Sequence, residues 1–150
     1  MKPHTLGSLL VALQFGALGA LVLLAAPKLM QQPFQPWTWL TIGLSGVVGL
    51  SALLANRPGN FNIHPAPRTD GKLVAHGPYR WIRHPMYTAV SLLGLACALA
   101  LGSVLAWLLW GVLSLVLLFK ARLEERWMTA LHPSYVHYMA RTRRFIPFLL

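Results

Sequence analysis

Acidic residues are almost missing from this 150-residue chain, which has three against thirteen lysines and arginines. A soluble domain of this size carries far more charge of both signs, and 56% of this chain is hydrophobic, so composition excludes an ordinary water-soluble globule. Cysteine is nearly absent too. The single Cys97 rules out a disulfide framework within the chain and reads as a small core residue. Charge is lacking altogether from four apolar stretches, 6–26, 37–55, 86–102 and 104–119, none of which holds Asp, Glu, Lys, Arg or His. Proline also avoids them. All eleven prolines lie outside these stretches or at their first turn, as expected of helices that need every backbone hydrogen bond inside a bilayer.

These absences point to an all-α integral membrane protein with about four transmembrane helices. A hydrocarbon core of about 30 Å needs about 20 helical residues, so the first two stretches suffice and the last two form a short hairpin. The 6–26 run is longer than a signal-peptide core, and the short loop after it favours a retained helix.

Four crossings place twelve of the thirteen basic residues on one side, with only Lys28 on the other. By the positive-inside rule that side is cytoplasmic and holds both termini, which suggests a bacterial inner membrane protein. Asp70, Glu124, Glu125 and all six histidines fall on the same side. Nucleic-acid binding is disfavoured, because the basic residues flank membrane segments and no binding motif accompanies them. The high net charge is read instead as attraction to anionic membrane lipids. Small residues at Gly43, Gly46 and Gly49 allow close helix packing or a homodimer.

The polar content gathers in two segments, 60–87 and 120–147, which together make a cap on a single membrane domain covering 1–150. In "RHPMY", His84 precedes proline and leaves the helical region, while Pro85 suits a first helical position. The free N–H groups of a helix starting there favour a carboxylate or phosphate, and Arg83 adds to that preference. A bland alternative has Arg80 and Arg83 on lipid phosphates, with Tyr79, Trp81 and Tyr87 in an interfacial belt. Leu123, Trp127 and Leu131 continue a helix to the residues before Pro133. Glu124 and Glu125 then point about 100° apart, one inward and one outward, with Arg122 and Arg126 as nearby partners. Tyr135 and Tyr138 share a helical face and either pack on the membrane domain or close a site. "FIPFLL" at the end reads as a shallow interfacial segment.

Taken together, "GPYRWIRHPMY", a helical hairpin, the Glu pair and "HPSYVHYMARTRRFIP" resemble the isoprenylcysteine carboxyl methyltransferase and phospholipid methyltransferase group. The group's signature is G-x-Y-x-x-x-R-H-P-x-Y-x-G, then E-E, then Y-x-x-Y ending in I-P, and the likeness runs from about residue 62 to residue 147. Ala89 stands where the signature has glycine, and Leu131-His132-Pro133 replaces a phenylalanine-glycine of many relatives.

The resemblance implies S-adenosylmethionine as the cofactor and a lipophilic methyl acceptor, such as an isoprenylcysteine-like molecule or a lipid, entering from the bilayer. It matches His64, Leu73, Val74, Tyr79, His84, Pro85, Tyr87, Glu124 and Glu125 to cofactor-lining positions, and Lys120 or Arg122 to the acceptor site. No metal is implied. A carboxylate or thiolate acceptor needs no base; for an amine or hydroxyl, His84 or His132 is the candidate, and Arg83 and His84 are the candidate catalytic residues. Sterol reductases, which use NADPH, share R-H-P-x-Y, but Ala89-Val90 and the Glu pair replace their acidic and lysine-tyrosine-glycine elements. A non-enzymatic membrane scaffold is the remaining alternative.

Overall fold

The computed structural model describes residues 3–31, 35–56 and 73–147, with side chains from residue 5 onward. Five α-helices follow in order among these: α1 (Pro3–Gln31), α2 (Pro36–Ala55), α3 (Pro85–Leu101), α4 (Val104–Leu131) and α5 (Tyr135–Arg141). A single 3-10 turn, Gly77–Arg80, precedes α3. The protein is all-α. Helices α1, α2 and α4 are long and apolar enough to cross a membrane, and α3 is a shorter apolar helix. Large apolar side chains such as Leu23, Trp37, Leu54 and Val104 are exposed on the bundle surface, the inverse of a soluble domain. This is an integral membrane protein.

Helix α3 lies at the centre, packed on α1, α2 and α4. Leu21 and Ala25 of α1 meet Cys97, Ala98 and Ala100 of α3 and Ala106, Leu113 and Leu117 of α4 in one buried cluster, which confirms Cys97 as core. Small residues bring the backbones close. A Cβ on Gly94 would lie 2.7 Å from Leu113 and 3.2 Å from Trp110, so α3 and α4 approach here as only glycine permits. On its other side α3 meets α2: Ser45 donates to the Ala89 carbonyl at 2.8 Å, and a Cβ on Gly49 would sit 3.4 Å from that of Ala89. The methyl that departs from the family signature is therefore received by a glycine of α2. Gly43 and Gly46 meet nothing within 4 Å.

One boundary differs from expectation, and another, the end of α4 at Leu131, falls where the sequence places it. Helix α1 runs through Pro27 to Gln31; the proline forfeits the hydrogen bond to the Leu23 carbonyl and crowds that group, a defect that membrane helices tolerate through local adjustment. The α3–α4 hairpin is short only on the α3 side. Helix α4 spans 28 residues, about 42 Å, because the polar residues after 119 are good helix formers and no breaker intervenes before Pro133. The hairpin turn is Gly102, left-handed at φ 60°, followed by Ser103, whose hydroxyl accepts from the Ala106 N–H at 3.3 Å. Lys28, the lone basic residue at that end, donates to the Leu101 carbonyl at 3.1 Å and neutralises the negative end of α3.

Candidate functional site

The site is built around the start of α3. Gly77 takes φ +59°, with the Ala55 Cβ 3.0 Å from where its own would be, so the chain turns tightly against the end of α2 before reaching His84. His84 adopts an extended φ of −124° as the residue before Pro85, and Pro85 is fully buried as the first residue of α3.

The segment leading into α3 is held by the far end of the described chain. Residues 81–84 pair with 143–144 in a short parallel β-type contact: Arg143 N donates to the Trp81 carbonyl at 2.8 Å, Arg83 N to Arg143 at 2.7 Å and His84 N to Arg144 at 3.1 Å. Thr88 adds a hydroxyl donation to the Phe145 carbonyl at 2.9 Å.

This pairing delivers Arg144 to Glu125. The Glu125 carboxylate is 3% exposed and accepts from Arg83 Nε at 2.8 Å, from Arg144 NH2 at 2.6 Å and from His84 Nε2 at 3.1 Å. Hydrogen bonding to Glu125 holds the Arg144 guanidinium above its ordinary pKa. Arg83 donates further to the carbonyls of Met139 and Thr142. Its guanidinium is thus spent inside the protein, with a side chain 8% exposed, rather than standing free at the helix start. Arg122 and Arg126 are exposed, and Glu125 takes its partners from the loops instead.

Glu124 points elsewhere, as the 100° offset requires. Its side chain keeps 35% exposure, accepts from the Tyr87 hydroxyl at 3.1 Å, and brings Oε2 to 3.7 Å from His84 Nδ1. The His84 and Tyr87 rings are parallel at 5.3 Å, and Phe145 flanks the imidazole at 6.0 Å. A half-open carboxylate, an imidazole edge and a phenol therefore share one corner, with the second carboxylate locked behind it.

Lys120 is the feature that composition misplaced. It sits one residue past the apolar stretch and reads as a membrane flank, yet it is 1% exposed. Its Nζ donates to Gln14 Oε1 at 2.5 Å and lies 5.1 Å from the Tyr87 ring centre. Gln14 itself is buried on α1 and was not foreseen as a site residue. Its signal was present: it is the lone amide side chain in the 6–26 run.

Helix α5 closes the cap from above. Tyr135 and Tyr138 are both buried, 5.5 Å apart, and the Tyr138 hydroxyl donates to the Tyr79 carbonyl at 2.7 Å. Burial pushes both Tyr79 and Tyr138 up to about 12; for Tyr79 a hydrogen bond from Asn56 opposes the shift and the Glu124 charge adds to it. Leu73 is exposed and Val74 half-buried, His132 is exposed, and His64 lies outside the described residues. Ile146 is exposed, and the last three residues of "FIPFLL" are likewise outside the description. Among the described residues no group of three or more His, Cys, Asp or Glu side chains is arranged to hold a metal ion.

A helical membrane bundle with a polar corner at the start of a central helix defines a class of membrane-embedded protein with a bilayer-facing body and a polar cap. The chain belongs to the phospholipid methyltransferase family: that family's model matches residues 40–134, from α2 through the site to the residue before α5. It is a membrane methyltransferase. No curated protein and no solved structure matches the chain significantly.

Proposed function

We propose that this protein transfers a methyl group from S-adenosylmethionine to a lipophilic acceptor that enters from the bilayer. The observation that carries the reading is Glu124: within the family-matched span it is a half-exposed carboxylate converging with His84 and Tyr87 at the start of α3. The donor set suits this cofactor. Glu124 accepts hydrogen bonds from an ammonium or from ribose hydroxyls, Tyr79 and Tyr87 supply apolar ring surface, and the first turn of α3 at Pro85 offers backbone N–H groups to a carboxylate.

The cofactor, when bound, supplies an activated sulfonium methyl. What remains for the protein is positioning and exclusion of water. Tyr87 holds the Glu124 carboxylate, the Glu125 cluster fixes the two loops, and the Tyr138–Tyr79 bond seals the cap. Lys120 and Gln14 lie on the bundle side of Tyr87 and are suited to meet the head of an acceptor, whether carboxylate, amine or thiol. Arg122, exposed on α4, is suited to lipid phosphates. The charge distribution supports a cytoplasmic cap, so the cofactor is drawn from the cytosol.

Calorimetry with S-adenosylhomocysteine on the purified protein tests cofactor binding, and incubation with radiolabelled S-adenosylmethionine and a membrane-lipid extract tests transfer. Saturable binding and a labelled lipid are expected. Absence of both would sink the reading.

A further inference from the structure

Gln14 lies two turns before Leu21 on the buried face of α1 and is itself 5% exposed. Lys120 of α4 fixes which way round its carboxamide sits. An ammonium can only donate, so the atom it meets at 2.5 Å is the carbonyl oxygen Oε1, and the amide N–H2 turns away. No described residue accepts from that N–H2. Among the described residues no side-chain nitrogen or oxygen cut off from the surface lacks a partner, so Nε2 keeps contact with the surface. Two N–H donors unspent on a residue this buried cost stability unless an acceptor reaches them.

Depth says where that acceptor comes from. Lys28 meets the Leu101 carbonyl at the far end of the bundle, and Gln14 lies about 21 Å back along α1 from it. Lys120 lies about 24 Å along α4 from Val104. Both are within a hydrocarbon core of about 30 Å, so a molecule that reaches them travels in the bilayer. Chemistry says what kind of head it carries. Across one carboxamide, the ammonium and the N–H2 present donors only. An amine head would add a further donor and a like charge, whereas an acidic head brings oxygens for both. Lys120 Nζ also lies 5.1 Å over the Tyr87 ring, whose hydroxyl holds Glu124, so this donor pair adjoins the polar corner through Tyr87.

We propose that Gln14 is a specificity-determining residue: with Lys120 it binds the acidic oxygen head, carboxylate or phosphate, of an amphiphile lying in the bilayer, and rejects amines of the same chain length. That this amphiphile is the methyl acceptor rests on the methyltransferase reading; the anion site does not. Helix α1 precedes the family-matched span, so the selection is made outside the shared region.

Oleate, oleyl phosphate and oleylamine are the probes, titrated by calorimetry and NMR into unaltered protein in neutral detergent, with glutamine side chains labelled with nitrogen-15. Saturable binding of one or both acids is expected, with the Gln14 amide protons moving downfield, and oleylamine is expected to leave them in place. Oleate alone assigns the head as a carboxylate, and oleyl phosphate alone as a phosphate. Binding of neither acid, an unmoved Gln14 amide, or oleylamine binding as tightly overturns the proposal.

Gln14→Glu keeps an oxygen for Lys120 but replaces the N–H2 with a second oxygen. It is expected to bind the acid probes at least tenfold more weakly while affinity for S-adenosylhomocysteine stays within twofold; undiminished affinity for the acids overturns the role of Gln14. Should that variant fail to fold, the Gln14 resonance in unaltered protein decides alone. Protein that binds the acids but not S-adenosylhomocysteine retains the anion site while the methyltransferase reading falls. The reverse pattern removes the anion site and leaves that reading standing.

Discussion

Lys120 Nζ donates to Gln14 Oε1 at 2.5 Å, joining α4 to α1 through two side chains that are both buried. Ionisable groups inside a membrane bundle are expensive and mark functional positions, and this one adjoins Tyr87 and, through it, Glu124. Helix α1 precedes the family-matched span, so Gln14 is a contribution of this chain beyond the shared region.

Gln14→Leu removes the acceptor of a buried ammonium. A loss of about 1–3 kcal/mol in stability is expected, read as a lower midpoint of unfolding in detergent. Lys120→Met keeps the stem and removes the charge. Methyl transfer is expected to fall through a higher KM for the acceptor while affinity for S-adenosylhomocysteine stays within twofold. A change in cofactor affinity instead would move Lys120 from the acceptor side to the cofactor side.

Glu125→Ala strands two guanidinium groups and an imidazole around an empty corner. Removing one partner of a buried ionic cluster typically costs about 3–5 kcal/mol. Arg144→Ala is expected to cost less, because its side chain is 23% exposed and water replaces part of what it loses. Thermal unfolding of the two variants side by side checks the order; equal midpoints would contradict it.

Gly94→Ala places a methyl 2.7 Å from a Leu113 side chain that is itself fully buried. Overpacking of this kind costs about 1–3 kcal/mol. Gly111→Ala, where nothing lies within 4 Å, is expected to be neutral or slightly stabilising through helix propensity. The same unfolding assay distinguishes them.

Tyr79 and Tyr138 make a prediction at high pH. Their folded values near 12 lie above the ordinary 10.0, so the unfolded chain loses these protons first. Stability from the two phenols is complete below about pH 10 and declines as pH rises towards 12, since the unfolded state then binds fewer protons than the folded one. Absorbance titration at the phenolate band should show these two, together with Tyr135, which burial also raises, ionising late until the cap opens, and Tyr138→Phe should remove one late-ionising group. Four tyrosines titrating at the ordinary value in folded protein would refute this.

The helices were legible because a bilayer demands long uncharged runs, and the opposed directions of Glu124 and Glu125 follow from helical geometry alone. Their partners were not legible. Nothing local distinguishes Arg144 from Arg122 or Arg126 as the guanidinium that reaches Glu125; the choice is made by the 81–84 and 143–144 pairing, a contact between segments about sixty residues apart. Lys120 was misplaced for a similar reason. Its neighbours in sequence mark a membrane boundary, whereas the rotation of α4 against α1, which buries it, depends on the packing of both.

That pairing also orders events during synthesis. Helices α1 to α4 can enter the membrane as they emerge, but the segment that holds His84 in place, and the arginine that completes the Glu125 cluster, follow all four of them in the chain. The bundle can therefore be inserted and packed while its chemistry is still unassembled, and the site becomes complete only when residues 143–145 fold back across the start of α3.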